Sequence, residues 1–213
     1  VKKLLIIKQG NNKDTDIYIK TILRKSKTNN CKTFILDIEN FDKNIIKIDR
    51  LIKISNGIIV AQPFKLEEEK KIYKKILMNL TKDIDNFTGF SPYLNCTLEA
   101  IIQMLKRYNI NIKSKKVTVI GRHLGKIIGD YFENKNATVT ICHSKTKNLT
   151  EHTSMSDIVI CCTGKKILTK NMVNESSLII DVGGDLDGYF KNKIFTFKEI
   201  AERNIGNIFL HLS

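Results

Sequence analysis

The densest chemical signal in the chain is a turn built for close approach of backbone to an anion. In VTVIGRHLGKIIG an apolar run ends at Gly121, and helical spacing begins within a few residues. Gly121 and Gly125 admit a phosphate close to the main chain, and the start of the following helix offers N–H groups with no partner inside the helix. The spacing is G-x-x-x-G-x-x-x-G, not the usual dinucleotide G-x-G-x-x-G, so a glycine-containing turn that binds nothing would read similarly. The next apolar run sharpens the reading. It ends Cys142-His143-Ser144-Lys145, where an NAD site would carry an acid for the ribose hydroxyls. A hydroxyl and a cation there, with Arg122 and His123 on the first loop, suit the 2′-phosphate of NADP. An ordinary exposed lysine would look like Lys145 taken alone.

These residues need a particular scaffold. In the second half, KKVTVIG, ATVTICHS, SDIVICCTG and SSLIIDVGG read as strands, and LGKIIGDYF as a helix with Leu124, Ile127, Ile128, Tyr131 and Phe132 on one side. The strands end in Gly or small polar residues, Gly164 and Gly184 among them, where a parallel sheet opens its carboxyl-end crevice. The first half repeats the alternation. Residues 3–8 are a buried strand, and a helix capped by Asp14 or Thr15 runs to about Lys27, with Ile19, Ile22 and Leu23 inward. CKTFILDIE, IIKIDRLIKIS, GIIVAQPF (closed by Pro63) and LEEEKKIYKKILMNL continue as strand, helix, strand, helix. That order implies parallel sheets with right-handed crossovers. Residues 82–96 form a polar break, longer than an ordinary connection, and TLEAIIQMLKRY follows as a bridging helix. The expected domains are 1–95 and 96–213.

Bulk composition sets the class. A chain of 213 residues with 42% hydrophobic content can bury a core. No apolar run reaches the roughly 18 residues of a membrane span. VKKLLIIKQG lacks the long apolar region and cleavage site of a signal peptide and reads better as a strand. Cys31, Cys96, Cys142, Cys161 and Cys162 are odd in number and lack C-x-x-C spacing, which argues against a disulfide framework or a zinc site and points to a reducing cytosol. The net charge of +14 arises from lysines scattered among Ile and Asn, without a dense basic block or aromatic platform, so a specific nucleic-acid partner is not expected.

Several segments, in order along most of the chain, resemble the bifunctional methylenetetrahydrofolate dehydrogenase/cyclohydrolase family. ATVTICHSKT is close to the end of that family's second Rossmann strand. KDIDNF resembles its K-D-V-D-G-F, ILTKNMVNESSLIIDVG the stretch ending V-V-I-D-V-G, GIIVAQPF its G-I-L-V-Q-L-P-L-P, and LLIIKQGNNKDTDIYI its first strand and the helix bearing its active-site tyrosine. The resemblance implies an α/β architecture, with two parallel-sheet α/β domains flanking a cleft and the C-terminal one Rossmann-like. It further implies NADP as cofactor, a tetrahydrofolate derivative as substrate, and a homodimer.

Carried over residue by residue, the family's tyrosine is Tyr18, but its catalytic lysine, four residues on, is Ile22. Lys25, one further turn along, is the candidate replacement, although most helix lysines are simply solvated. The family's glutamine is Ala61. Gln62 stands next door, facing the opposite way unless a bulge re-aims it. Asp85 matches the carboxylate that contacts the pterin; a loop Asp bonding its own backbone is the plain alternative. The P-C-T-P-x-G segment reads Asn95-Cys96-Thr97-Leu98-Glu99-Ala100, the cofactor loop is about two residues shorter with His123 for Ser, and the family's P-G-G-V-G-P-x-T segment has only NIGN in its place. Two readings follow: an NADP-dependent dehydrogenase with cyclohydrolase activity lost, or a non-catalytic relative that keeps the fold as a nucleotide- or folate-binding module.

Overall fold

The computed structural model describes all residues, Val1–Ser213. The chain divides into two compact units, the first comprising Val1–Glu99 with Asn204–Ser213, the second Ala100–Arg203.

In the first unit, β1 (Lys2–Lys8), α1 (Lys13–Thr28), β2 (Cys31–Asp37), α2 (Phe41–Ile54), β3 (Gly57–Ala61) and α3 (Leu66–Leu77) alternate as expected. The three strands form a parallel sheet in the order β2-β1-β3. Successive side chains of β1 point to opposite faces. Leu4 and Ile6 pack under α1 with Ile19 and Ile22, while Leu5 and Ile7 pack under α2 and α3 with Ile48, Ile52, Ile72 and Ile76. A strand buried on both sides explains why LLII is continuous rather than alternating. The cap of α1 is Asn12, not Asp14 or Thr15: its Oδ1 accepts from Thr15 N at 3.0 Å, and Lys13 already lies in the helix.

A short 3₁₀ turn (Leu80–Lys82) leads into the polar break, which is tied down by Asp83. Its buried carboxylate accepts from Phe87 N, Thr88 N and Thr88 Oγ1 at 2.7–2.9 Å. α4 (Cys96–Arg107) then begins under an Asn95 cap, whose Oδ1 accepts from Thr97 N and Leu98 N.

In the second unit, β4 (Lys116–Ile120), α5 (His123–Asn134), β5 (Thr138–Cys142), α6 (Leu149–Ser154), β6 (Ile158–Cys161), β7 (Leu168–Thr169), β8 (Leu178–Asp181), β9 (Leu186–Asp187) and β10 (Ile194–Phe195) precede α7 (Phe197–His211). The main sheet is parallel in the order β10-β8-β6-β4-β5, with β7 and β9 forming a separate pair. From β4 the chain crosses to β5 on one side and then to β6 on the other, which makes the carboxyl ends of β4 and β6 the topological switch point where such sheets bind ligands.

The last ten residues depart from the expected boundary, which put them with the second domain. Ile205, Ile208, Phe209 and Leu212 bury against Leu4, Ile6, Ile19 and Ile22, so apolar burial fixes this stretch of α7 to the first unit. The same clustering assigns Cys96–Glu99, the first turn of α4, to the first unit. No helix is long and apolar enough to cross a membrane.

Candidate active site and dinucleotide loop

In the second unit Gly121 has φ +139°, and a Cβ there would lie 3.0 Å from both Cβ and O of Cys162. The glycine therefore serves first to let β4 turn tightly past the end of β6. Its N–H donates to Cys142 O at 2.9 Å, and Cys162 N donates to Ile120 O at 2.8 Å, so the exits of β5, β4 and β6 are tied side by side. The shortened loop closes within two residues. Gly125 N donates to Arg122 O at 2.6 Å, and His123 takes a left-handed φ of +30°, uncommon for a residue with a side chain. Arg122 and His123 are exposed, and no side chain caps the start of α5. The amides of His123 and Leu124 are thus open to an anion, while that of Gly125 is already used.

Beside it, the chain leaves β5 through a turn in which Thr146 N donates to His143 O and Lys145 N to His143 Nδ1. Ser144 and Lys145 project outward, and residues 142–147 hold no acid. Arg122, His123, Gly125, Ser144 and Lys145 thus stand on neighbouring loops at the carboxyl end of adjacent strands.

The loops bearing Gly164 and Gly184 are tied together by Asp185. The Gly164 amide is already used: it donates to Asp185 Oδ1 at 2.7 Å, and Thr163 N and Oγ1 donate to Asp185 Oδ2 at 2.7 and 2.8 Å. Asp185, fully buried, locks the loop after β6 to the loop after β8, and its own N–H donates to Asp181 Oδ1. Gly164 and Gly184 both adopt positive φ, and Gly164 has no free donor to offer. Sequence reasoning missed Asp185. The only available signal was an acid directly after a strand-ending Gly-Gly.

In the first unit Tyr18 and Asp85 come together. Asp85 Oδ1 accepts from Cys96 N at 3.0 Å at the start of α4, where the helix dipole favours a carboxylate. Burial nevertheless dominates and pushes its carboxyl up to about 6 from an ordinary 3.8. Burial first, then the nearby Asp85 charge, holds the Tyr18 phenol well above 10. The Tyr18 hydroxyl donates to Asn204 Oδ1 at 3.2 Å. Three further groups fix the surroundings, all from α7: Asn204 Nδ2 donates to Thr97 Oγ1 at 2.8 Å, Asn207 Nδ2 to Cys96 O at 3.0 Å, and the His211 ring bridges Ile84 O and Glu99 Oε2, both at 2.7 Å, while stacking on Tyr93. These side chains recur at i, i+3 and i+7, one face of the helix. None stands out from the sequence as a site residue: Asn204 and Asn207 lie in NIGN, which reads only as standing in place of the glycine-rich segment, and His211 lies beyond it.

The other two expected residues do not join this cluster. Lys25 is exposed with no side-chain partner, because the buried face of α1 runs through Ile19, Ile22 and Ser26 and leaves Lys25 to one side. Gln62 is exposed at the end of β3. Its Oε1 accepts from Phe64 N at 3.0 Å and its backbone O accepts from Thr15 Oγ1, so the side chain folds back on its own loop. Ala61, not Gln62, shares the face of Tyr18, and Ile22 is fully buried there.

The raised Asp85 value has a consequence for stability. The folded chain holds that proton more tightly than the unfolded one, so the stabilisation is complete below about pH 4 and is lost as pH rises through about 6. The difference is of order 3 kcal/mol. In urea titrations, the stability of the native chain relative to Asp85→Asn is expected to fall across this window; two parallel curves would contradict it.

A protein-family comparison matches residues 95–200 to the tetrahydrofolate dehydrogenase/cyclohydrolase NAD(P)-binding domain. The bifunctional protein FolD of Bacillus cytotoxicus is 40% identical over 157 residues, covering 67% of this chain and 54% of that protein. The chain belongs to the tetrahydrofolate dehydrogenase/cyclohydrolase family. It spans about half the length of the curated family relatives it matches. Two solved structures of family enzymes share the fold. The Trypanosoma brucei methylenetetrahydrofolate dehydrogenase-cyclohydrolase, complexed with NADP and an inhibitor, aligns with a TM-score of 0.84 at 19% identity, covering 99% of this chain and 86% of that one. The NAD-dependent methylenetetrahydrofolate dehydrogenase of Saccharomyces cerevisiae aligns at 0.76 with 15% identity, covering 99% and 86%. Family membership gives the second unit its role as an NAD(P)-binding domain; the neighbouring structures include both an NADP complex and an NAD-dependent enzyme.

Proposed function

We propose that the chain is an NADP-dependent methylenetetrahydrofolate dehydrogenase in which cyclohydrolase activity has been lost. The observation that carries the reading is the match of residues 95–200 to the family's NAD(P)-binding domain, joined to an acid-free, basic turn at the end of β5. In this reading the open amides of His123 and Leu124 take the pyrophosphate, in a turn shaped by Gly121 and Gly125. Arg122, His123, Ser144 and Lys145 surround the 2′-phosphate, and the loops at Gly164 and Gly184 floor the nicotinamide end. NADP, when bound, supplies a hydride acceptor. On the folate side Asp85, ionised above about pH 6, accepts from the amino-pyrimidine edge, and Tyr18 flanks the ring.

Dehydrogenation depends chiefly on orientation of two bound partners. Hydrolysis of the methenyl product needs a group that moves protons to and from water, and Ile22, fully buried, cannot do so. A homodimer working in the cytosol completes the reading, supported by the family resemblance and five free thiols.

Ile22 and Ala61 also favour a second reading: a non-catalytic relative that binds nucleotide or folate without turnover. Formation of NADPH from methylenetetrahydrofolate, followed by absorbance at high protein concentration, separates the two. Turnover above the protein-free background supports the dehydrogenase; none, with NADP still bound, leaves the binding module.

A further inference from the structure

We propose that Asn204 is a positioning residue for Tyr18, holding its hydroxyl proton turned into α7 so that Tyr18 meets a ligand as a hydrogen-bond acceptor and not as a donor. The geometry is specific. Asn204 is only 7% exposed, and both ends of its amide are committed, Nδ2 to Thr97 Oγ1 at 2.8 Å and Oδ1 to the Tyr18 hydroxyl at 3.2 Å. The bond to Thr97 at the start of α4 holds the amide in place with its Oδ1 toward the tyrosine. The competing acceptor is Asp85, whose charge bears on Tyr18, but the Tyr18 hydroxyl bonds Asn204 Oδ1 and makes no hydrogen bond to that carboxyl. The other titratable groups in this cluster are the Cys96 thiol, Glu99 and His211, and the last two are paired with each other.

A phenol whose proton is already given away offers only lone pairs. A ligand group facing Tyr18 must then bring its own N–H or O–H. That requirement deepens the folate reading on which it rests: an amino or ring N–H of a reduced pterin satisfies it, and a bare carbonyl oxygen does not.

The test separates the two claims. The whole chain is produced with 3,5-difluorotyrosine, whose phenols titrate near neutrality, and the Tyr18 fluorine signal is assigned with Tyr18→Phe. An acceptor on the neutral hydroxyl holds the phenol up, so Asn204→Leu is expected to lower the Tyr18 midpoint by about one pH unit, and Asn204→Asp to keep it at or above the native value. Thr97→Val, which frees the amide to turn, moves the midpoint in the same direction as Asn204→Leu by a smaller amount and serves if the leucine variant does not fold. A rise in Asn204→Leu, or no change in either variant, overturns the proposal, because the amide would then be donating or idle.

Tetrahydrofolate affinity, measured calorimetrically, gives the second arm. Asn204→Leu should weaken binding about tenfold in the native background and hardly at all in Tyr18→Phe, since it acts through that hydroxyl. Equal losses in both backgrounds count against positioning. A midpoint that shifts as expected in a chain that binds no tetrahydrofolate supports the positioning role and removes the folate reading instead.

Discussion

Replacing Ile22 by lysine is expected to raise hydrolysis of methenyltetrahydrofolate by about 10²-fold over a native chain that shows no more than the solvent rate. The lower range of general acid–base catalysis sets that figure. Ile22 lies one helical turn after Tyr18, fully buried, on the face of α1 that carries Ile19 and packs with Ala61. Side chains on a helix lean toward its N-terminus, so a lysine here would reach back over Tyr18 toward Asp85, whose carboxylate can pair with it. The same burial makes the substitution costly. An isoleucine leaves the core and a charge enters it, a loss of roughly 3–5 kcal/mol in stability. Thermal unfolding must accompany the rate measurement, with Ile22→Met as the apolar control of similar size. A folded Ile22→Lys chain with no gain in hydrolysis would mean that more than one missing group disables the step. A native chain that already hydrolyses the methenyl compound well above solvent would remove the claim that the activity is lost.

Binding of NADP is expected to exceed that of NAD by about 10–100-fold, and Arg122→Ala with Lys145→Ala to bring the two together. Each charge-assisted hydrogen bond contributes about 1.5–3 kcal/mol, and every 1.4 kcal/mol is tenfold. Both side chains are exposed, so salt screens them and the lower end of the range applies at physiological ionic strength. NAD, lacking the 2′-phosphate, should bind the double variant about as well as the native chain. Introducing an acid, Ser144→Asp, should reverse the preference by repelling the phosphate and offering the ribose hydroxyls an acceptor. Equal native affinities for the two dinucleotides, or a preference untouched by the double variant, would place the specificity elsewhere.

The contrast between the two units shows what a linear reading captures. Where a feature follows from a local element, residue type and spacing suffice. Gly121 at a strand end, Gly125 one helical turn on, and a basic sequence after β5 identify adjacent loops because a parallel sheet places successive strand ends together. The helices of the first unit are likewise legible from their apolar faces, Ile19 with Ile22 on α1 and Ile48 with Ile52 on α2. The fate of individual side chains at those loops is a different matter. Gly164 looks available until Asp185, 21 residues later, takes its amide. Lys25 looks like a substitute until the phase of the α1 stripe leaves it in solvent, and Gln62 is drawn to the amide of Phe64.

The sequence by itself determined the two parallel α/β units, the glycine-bearing turn after β4 and an apolar residue at position 22, because strand and helix periodicity, glycine conformation and residue chemistry are all local properties. Only the tertiary structure decided that the end of α7 returns to the first unit and brings Asn204, Asn207 and His211 to Tyr18, Cys96 and the Asp85 loop. Those pairings span more than a hundred residues and arise from burial of Ile205, Ile208, Phe209 and Leu212 against a sheet formed at the other end of the chain. No spacing along the chain encodes such contacts, since they exist only once the core that holds them has closed.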